Sequence, residues 1–268
     1  ANRMKTALVT GANKGIGLEI ARGLLSTGFA VILAARDGER GRMAAAQLNC
    51  PFVQLDLDSK ESIEACAAQV SKEHGSLDLL VNNAAIAFKG SDPTPFSQQA
   101  QPTIHTNFFG TLNVCNAFLP ILNDGGQVIN VASVSGLLRI IQSENLKRTF
   151  LSSGEPGGLS VEALSALMAD FVNHAQKGDH NEQGWPNTCY GTSKLGVIAL
   201  TKILARTLAG RQIAVNCFCP GYCATDMSSQ RGTKTAAQGA ETAVWLANLD
   251  KEARLTGGFF QDSAPREW

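Results

Sequence analysis

The chain has 268 residues, and 44% of them are hydrophobic, which is enough for a substantial core in one large α/β domain or two small ones. Lysine plus arginine and aspartate plus glutamate both number 23, so no net charge favours a polyanion, and we expect no nucleic-acid partner. No apolar run approaches the roughly 18 residues that cross a bilayer, so we expect no membrane partner either. The seven cysteines form no Cys-x-x-Cys and have no histidine pair nearby, which predicts free thiols in a reducing, cytoplasmic compartment and no metal site.

The first predicted elements are a strand, a glycine turn and an amphipathic helix. The strand covers Thr6–Thr10, the helix ends near Gly28, and Gly11, Gly15 and Gly17 lie between them as Gly-x-x-x-Gly-x-Gly. A tight turn with a bare backbone, followed by the free N–H groups of a helix, is typical of a diphosphate site. Three glycines alone also fit a plain turn with a helix cap, and the strand–turn–helix order favours the binding site.

A second buried-type strand, Phe29–Asp37, bears on the choice of dinucleotide. Asp37 lies about twenty residues after Gly17, where an acid would bind a ribose diol and select NAD. Arg36 is nearer the strand end, and Lys14 lies in the glycine turn, so two cations would flank the 2′-phosphate of NADP while Asp37 caps the next helix. We favour NADP; the alternative for both cations is solvated surface charge.

Strand and helix alternate along the rest of the chain. Further strands are predicted in PFVQLDLD, SLDLLVNNAA, GGQVINVAS, RQIAVNCFCPG and GGFF. This order predicts an α/β fold: a doubly wound, seven-stranded parallel sheet with helices on both faces. Ligands of such sheets bind beyond the carboxyl ends of the strands, so the residues at those ends should line one crevice. They include Asp56, Leu57, Asn82, Asn83 and Ser133.

Tyr190 and Lys194 are four residues apart in YGTSK, a spacing that places both on one face of a helix. A phenol with a pKa of about 10 is a poor acid–base catalyst at neutral pH, but a nearby ammonium, together with the positive nicotinamide of an oxidised cofactor, favours the phenolate and lowers that pKa. Taken alone, the pair also fits a packed tyrosine beside a lysine that reaches solvent. The glycine turn, and Ser133 at a strand end, favour a catalytic pair.

The sequence resembles the short-chain dehydrogenase/reductase superfamily. The resemblance covers most of the chain and rests on TGANKGIG, the strand end at Asp56, NNAA, TNFFGT with Asn107, NVASVSG with Ser133, YGTSK, and Pro220–Gly221. Within the superfamily, AARD, NFFGT, DPTPF, TDM and the final EW are similar to the NADPH-dependent carbonyl reductases. The resemblance implies one Rossmann-type domain over residues 1–268. Ala85 stands where the family usually has glycine, which places a methyl group near the cofactor's ribose.

The resemblance also implies site residues. Tyr190 would donate a proton to the carbonyl oxygen, Lys194 would tune Tyr190 and hold the nicotinamide ribose, Ser133 would orient the carbonyl, and Asn107 would complete a proton relay. From the residues alone, Asn107 fits a buried amide bonded to backbone equally well. The residues implied to bind NADPH/NADP are Gly11, Asn13, Lys14, Gly15, Ile16, Gly17, Arg36, Asp56, Leu57, Asn83, Ala84, Tyr190, Lys194, Pro220, Gly221 and Thr225.

Side chains next to these motifs are candidates for the substrate cleft, although each aromatic ring also fits core packing. They are Ser133, Val134, Ser135, Phe88, Trp185, Cys189, Tyr222 and Met227. An apolar cleft would suit a small-molecule aldehyde, ketone or quinone. Cys189, Cys219 and Cys223 are expected near the cleft, which would make activity sensitive to thiol reagents. The leading hypothesis is therefore an NADPH-dependent carbonyl reductase; the alternatives are an NAD(P)-dependent secondary-alcohol dehydrogenase and a non-catalytic dinucleotide-binding protein.

Ser133 and Tyr190 are 190 − 133 = 57 residues apart, whereas in most of the superfamily the separation is a little over a dozen. The extra residues predict a helical insertion at about 137–186. Its second helix should start after Ser160 as N-cap and carry an apolar stripe for core packing. The helix that carries the tyrosine commonly forms the oligomer interface in this superfamily. An insertion that covers this helix predicts a monomer.

Overall fold

The computed structural model describes residues 3–250 and 254–268. Eight strands form one sheet in the order β3-β2-β1-β4-β5-β6-β7-β8, and β1 to β7 are parallel. The strands are β1 Thr6–Thr10, β2 Ala30–Ala35, β3 Phe52–Gln54, β4 Leu77–Asn82, β5 Leu122–Val131, β6 Ala214–Cys219, β7 Phe259–Gln261 and β8 Ala264–Pro265. The α/β fold with a parallel sheet predicted from the sequence is confirmed.

The strand count is the one correction to the predicted fold. An eighth strand, β8, pairs antiparallel with β7. Asp262 and Ser263 connect the two strands, and both have positive φ (53° and 56°), as in the tight turns that close hairpins. The strand has only two residues, and one of them is proline, so it leaves no alternating pattern that the sequence analysis can detect.

The helices in chain order are α1 Gly15–Ser26, α2 Gly38–Leu48, α3 Lys60–His74, α4 Phe96–Ile104, α5 Thr111–Phe118, α6 Glu144–Leu151, α7 Val161–Lys177, α8 Cys189–Thr207 and α9 Ala236–Ala247. Two capping predictions are confirmed. Asp37 accepts the N–H groups of Glu39 and Arg40 at the start of α2, and Ser160 accepts that of Ala163 at the start of α7. Each cap satisfies backbone donors that the helix itself leaves unpaired.

A large apolar cluster covers each face of the sheet, and a smaller third cluster includes Ala132 and Phe259. Ala7 and Val9 of β1 face the cluster formed with α1, α2 and α9, whereas Leu8 between them faces the cluster formed with α3, α4, α5, α7 and α8. This alternation is what a strand buried on both faces requires. The apolar stripe of α7 is buried in the second cluster through Leu164, Met168, Phe171 and Val172.

Candidate active site

The glycine turn after β1 packs directly against the segment that follows β4. Gly11 has a φ of +63°, and a Cβ there would lie 2.8 Å from the Cα of Ala84. A Cβ on Gly17 would lie 2.3 Å from Nδ2 of Asn83. Larger residues would therefore push the two segments apart, and the glycines leave the backbone bare at the start of α1.

Asn83 and Thr10 hold these two segments together. The Asn83 side chain donates to the carbonyl oxygens of Thr10 (2.9 Å) and Gly11 (3.2 Å). In return, the Thr10 hydroxyl accepts the N–H groups of Asn83 and Ala84, both at 3.0 Å. The Asn83 amide thus fixes the shape of the glycine turn, which a bound diphosphate would need in advance.

A cleft of about 940 Å³ lies beyond the carboxyl ends of the strands. Most residues predicted to bind the cofactor line it: Gly11, Asn13, Lys14, Gly15, Ile16, Gly17, Arg36, Asp56, Leu57, Asn83, Ala84 and Thr225. The other four predicted residues lie outside this lining: Tyr190 and Lys194 in α8, and Pro220 and Gly221 directly after β6. The cleft also contains residues that the sequence analysis did not select, among them Arg40, Asp58, Lys89, Thr106, Asp226 and Gln230.

Two arginines, Arg36 and Arg40, line the end of the cleft next to β2. Asp37 between them is committed to its capping role, and the backbone N–H of Arg40 contributes most to holding its pKa below the ordinary value. Arg36 lies 4.0 Å from a carboxylate oxygen of Asp58. Arg40 lies in the first turn of α2, three residues after the Asp37 cap, and Arg36 precedes that cap.

Lys14, in the glycine turn, is paired across the cleft. Its ammonium lies 2.6 Å from Oδ2 of Asp226, and both side chains are more than half exposed. Asp226 lies 212 residues further along the chain, so no local pattern indicates this contact. Exposed ion pairs of this kind are worth at most about 1 kcal/mol, which leaves Lys14 available to a stronger anion.

Tyr190 and Lys194 lie in the first turns of α8, as the spacing predicts. The Lys194 ammonium is buried, donates to the carbonyl oxygen of Val131 at 2.7 Å, and lies 5.6 Å from the centre of the Tyr190 ring. Thr188 begins the helix by accepting the N–H of Gly191. The strand β5 thus holds the lysine in place through its last residue.

Ser133 follows β5 and begins a short 3-10 turn, Val134–Gly136, by accepting the N–H of Ser135 at 3.1 Å. Two glycines allow this turn to contact α8. A Cβ on Gly136 would lie 2.5 Å from the backbone nitrogen of Leu195, and a Cβ on Gly191 would lie 2.6 Å from the carbonyl oxygen of Ser135. Ser133 therefore meets the Tyr190–Lys194 helix although 57 residues separate it from Tyr190 in the sequence.

Burial dominates the electrostatics of these groups. It raises the pKa of Tyr190 to about 12, an effect that Cys219 reinforces and the Ser133 hydroxyl opposes. It lowers the pKa of Lys194 to about 8, against the influence of Cys219 and Cys217. In the protein alone, desolvation disfavours the phenolate and outweighs the lysine. The lowering of the Tyr190 pKa by Lys194 together with an oxidised nicotinamide remains a prediction. At neutral pH the phenol is protonated.

Asn107 lies in a π-helical turn, His105–Gly110, between α4 and α5. Such turns occur frequently at functional sites. The buried side chain accepts the N–H of Ile86 (2.8 Å) and donates to the carbonyl oxygen of Ile86 (2.9 Å) and to the Ser193 hydroxyl (3.0 Å). Ser193 in turn donates to the Tyr190 carbonyl at 2.7 Å. The side chain is thus a buried amide bonded to backbone, which links the segment after β4 to α8.

Of the side chains predicted to line the substrate cleft, some are accessible and others are buried. Phe88 and Val134 are half-buried, Tyr222 is 55% exposed, and Met227 lines the cleft. The placement of Trp185 in the cleft is corrected, because only 1% of its surface is exposed. Its ring packs edge-on against Phe171 at 5.6 Å, in the core.

The cysteines expected near the cleft are also buried. Cys189, Cys219 and Cys223 are 5% exposed or less. Burial raises the pKa of Cys189 to about 12 and also raises that of Cys223. A thiol must be accessible and ionised to react, so the predicted sensitivity to thiol reagents finds no support in their placement.

Membrane-spanning helices and metal-ligand clusters are both absent from the described residues. Within residues 3–250 and 254–268, no helix has the length and apolar composition that crossing a membrane requires. In the same part of the chain, histidine, cysteine and acidic side chains form no group of three that is placed to hold a metal ion.

Known proteins resemble this chain over nearly its whole length. Carbonyl reductase [NADPH] 1 of Mus musculus is 44% identical over 98% of both chains, and carbonyl reductase [NADPH] 3 of Rattus norvegicus is 44% identical over 98% of both. The structure of salutaridine reductase from Papaver somniferum superposes with a TM-score of 0.86 at 27% identity, covering 96% of this chain and 99% of that one. The family model described as short chain dehydrogenase matches residues 5–145 and 178–236. The chain therefore belongs to the short-chain dehydrogenase family.

Proposed function

We propose that this protein is an NADPH-dependent carbonyl reductase, which delivers hydride to the carbonyl carbon of an aldehyde, ketone or quinone. One observation carries the proposal: a dinucleotide-sized cleft and the Ser133–Tyr190–Lys194 group lie at the same edge of the sheet. The names of the mouse and rat relatives specify NADPH and a carbonyl substrate, and we extend both to this chain.

The residues of the cleft fit a dinucleotide. Gly11 and Gly17 leave backbone bare where a Cβ would collide, and the N-terminus of α1 offers free N–H groups to a diphosphate. Arg36, Arg40 and Lys14 supply the cations that a 2′-phosphate requires. Asp37 is the residue that would select NAD, but its carboxylate already accepts the backbone N–H groups at the start of α2.

We assign the acid–base chemistry to Ser133, Tyr190 and Lys194. When bound, NADPH supplies a hydride. As the carbonyl π bond breaks, negative charge develops on oxygen; the Ser133 hydroxyl stabilises that charge, and the Tyr190 hydroxyl transfers its proton to the oxygen. Burial keeps Tyr190 protonated beforehand, and Lys194 beside it stabilises the phenolate that the transfer leaves. The product is an alcohol.

We infer that the Asn107 side chain acts by position. Its amide is hydrogen-bonded to Ile86 and Ser193, and the Ser193 hydroxyl donates to the carbonyl oxygen of Tyr190. This arrangement holds α8 against the segment that follows β4. The proton relay that the resemblance implies for Asn107 remains a prediction.

We further propose that residues 1–268 form one domain and that the segment around 137–186 is an insertion. The family model omits residues 146–177, which include α7. The insertion favours a monomer. All seven cysteines are free thiols, which supports the proposed cytoplasmic location. Of the predicted substrate walls, Phe88, Val134 and Tyr222 retain accessible surface and remain proposals.

A substrate panel tests the function. Aldehydes, ketones and quinones are incubated with the protein and NADPH, and NADPH consumption is followed at 340 nm, with NADH as the matched cofactor control. We expect turnover with NADPH and much less with NADH. Turnover of secondary alcohols with NAD, without carbonyl reduction by NADPH, would instead establish the oxidative alternative.

A further inference from the structure

Trp268, the last residue of the sequence, lies close to the candidate active site. The turn at Asp262 and Ser263 reverses the chain after β7, so that β8 runs back along the sheet. The N–H of Arg266 then donates to the carbonyl oxygen of Phe259 at 2.8 Å, which continues the pairing. This path brings the Trp268 ring to the Ser133 turn.

Three contacts fix the Trp268 side chain. Its indole N–H donates to the carbonyl oxygen of Gly136 at 3.0 Å. Its ring meets the buried ring of Phe150 edge-on, with centres 6.4 Å apart. The Lys202 ammonium, two turns after Lys194 on α8, lies 5.6 Å from the ring centre. The indole therefore bridges the Ser133 turn, α6 and α8.

Gly136 is the point through which this contact reaches the catalytic group. Its N–H donates to the Ser133 carbonyl at 2.9 Å. It also stands so close to α8 that a Cβ would lie 2.5 Å from the Lys194 carbonyl carbon. A 3-10 turn of three residues has poor hydrogen-bond geometry by itself, so contacts from outside determine its position.

We propose that Trp268 is a positioning residue for the reduction: its indole N–H and ring hold the Ser133 turn against the helix that carries Tyr190 and Lys194. The inference rests on the proposed function. Trp268 does not touch the reacting atoms and acts through Gly136 and Ser133. Without the Trp268 indole the Ser133 turn can move, so that the Ser133 hydroxyl no longer stays aligned with the carbonyl oxygen of the substrate.

The test compares Trp268→Phe, which keeps a ring but removes the donor, with Trp268→Ala and with Trp245→Phe. Trp245 is the matched control, because it packs on Phe260 from α9, among side chains of the other face of the sheet. We expect Trp268→Phe to lower kcat about tenfold while NADPH affinity stays within twofold. Trp268→Ala loses more, and Trp245→Phe retains its kcat.

A double-mutant comparison separates positioning from general stability. In a Ser133→Ala background, Trp268→Phe should lower kcat less than twofold, because the group that it positions is already absent. An equal loss of kcat in both backgrounds would overturn the proposal.

Hydrogen exchange tests the same inference without turnover. The amides of residues 135–137 should exchange faster in Trp268→Phe than in the parent protein, and at the parent rate in Trp245→Phe. Unchanged exchange in Trp268→Phe contradicts the role of Trp268. Absence of carbonyl reduction by the parent protein contradicts the proposed function instead, so the two failures are distinguishable.

Discussion

The Lys194 ammonium is bonded to the carbonyl oxygen of Val131 at 2.7 Å, on the strand that ends two residues before Ser133. One hydrogen bond therefore connects the helix that carries the proton donor to the strand that delivers the serine. The contact holds a charged group in a buried position, where desolvation lowers the pKa of Lys194 to about 8. Burial of the Lys194 charge is unfavourable for stability, whereas the proposed catalysis uses that charge to stabilise the Tyr190 phenolate.

Lys194→Met should change how stability depends on pH. In the unfolded chain lysine has a pKa near 10.4, so between about pH 8 and pH 10 the folded protein releases a proton that the unfolded chain retains. The contribution of Lys194 to the stability of the parent protein therefore rises with pH through this window, and the variant lacks this contribution. Urea unfolding at pH 7 and pH 10 should show the difference in unfolding free energy, variant minus parent, falling by about 2–3 kcal/mol. A difference independent of pH contradicts the assigned burial cost.

Tyr190→Phe should remove the proton donor and leave the cofactor site intact. Phenylalanine keeps the ring that lies 5.6 Å from the Lys194 ammonium, so the packing changes little. General acid catalysis by a positioned side chain contributes about 10²- to 10⁴-fold, and we expect kcat to fall by that factor. NADPH binding, followed by fluorescence, should stay within twofold and serves as the internal control. Unchanged turnover would contradict the assignment of Tyr190 as the proton donor.

Arg36→Ala and Arg40→Ala should each weaken NADPH binding about tenfold or more and leave NADH binding nearly unchanged, because NADH lacks the 2′-phosphate. Arg22→Ala is the matched control: Arg22 pairs with Glu19 on α1 at 3.3 Å and lies outside the cleft. Titration calorimetry with both dinucleotides measures the effect. Equal losses for NADPH and NADH, or tighter NADH binding by the parent protein, would contradict the preference for NADP.

The sequence predicts features that depend on neighbouring residues. The glycine turn, the caps at Asp37 and Ser160 and the helical face shared by Tyr190 and Lys194 follow from local spacing, and the structure has all of them. The approach of Ser133 to α8 follows from the rule that parallel strands present their carboxyl ends at one edge. These predictions need no knowledge of how the insertion folds.

Contacts between distant segments leave no local pattern. The pairing of Lys14 with Asp226, the bond from Trp268 to Gly136 and the bonds of Asn107 to Ile86 depend on the tertiary fold. Trp185 is misplaced for the same reason, since a tryptophan close to a catalytic tyrosine in sequence fits a cleft wall and a core equally well. Its contact with Phe171 of α7 places the ring in the core.

The burial of α8 predicts that the protein is monomeric. Fifteen of the 19 residues of α8 are buried within one chain. Met168 of α7 packs closely on α8 at Gly196, where a Cβ would lie 2.9 Å from its sulfur. A stable dimer interface needs about 800 Å² of free surface on each partner, and a helix already covered by its own chain lacks that surface.

Sedimentation velocity at several micromolar concentrations should therefore give one species with the mass of a single chain, 28.3 kDa. A stable dimer or tetramer would show that another surface forms an interface, and that the covering of α8 does not decide the oligomeric state.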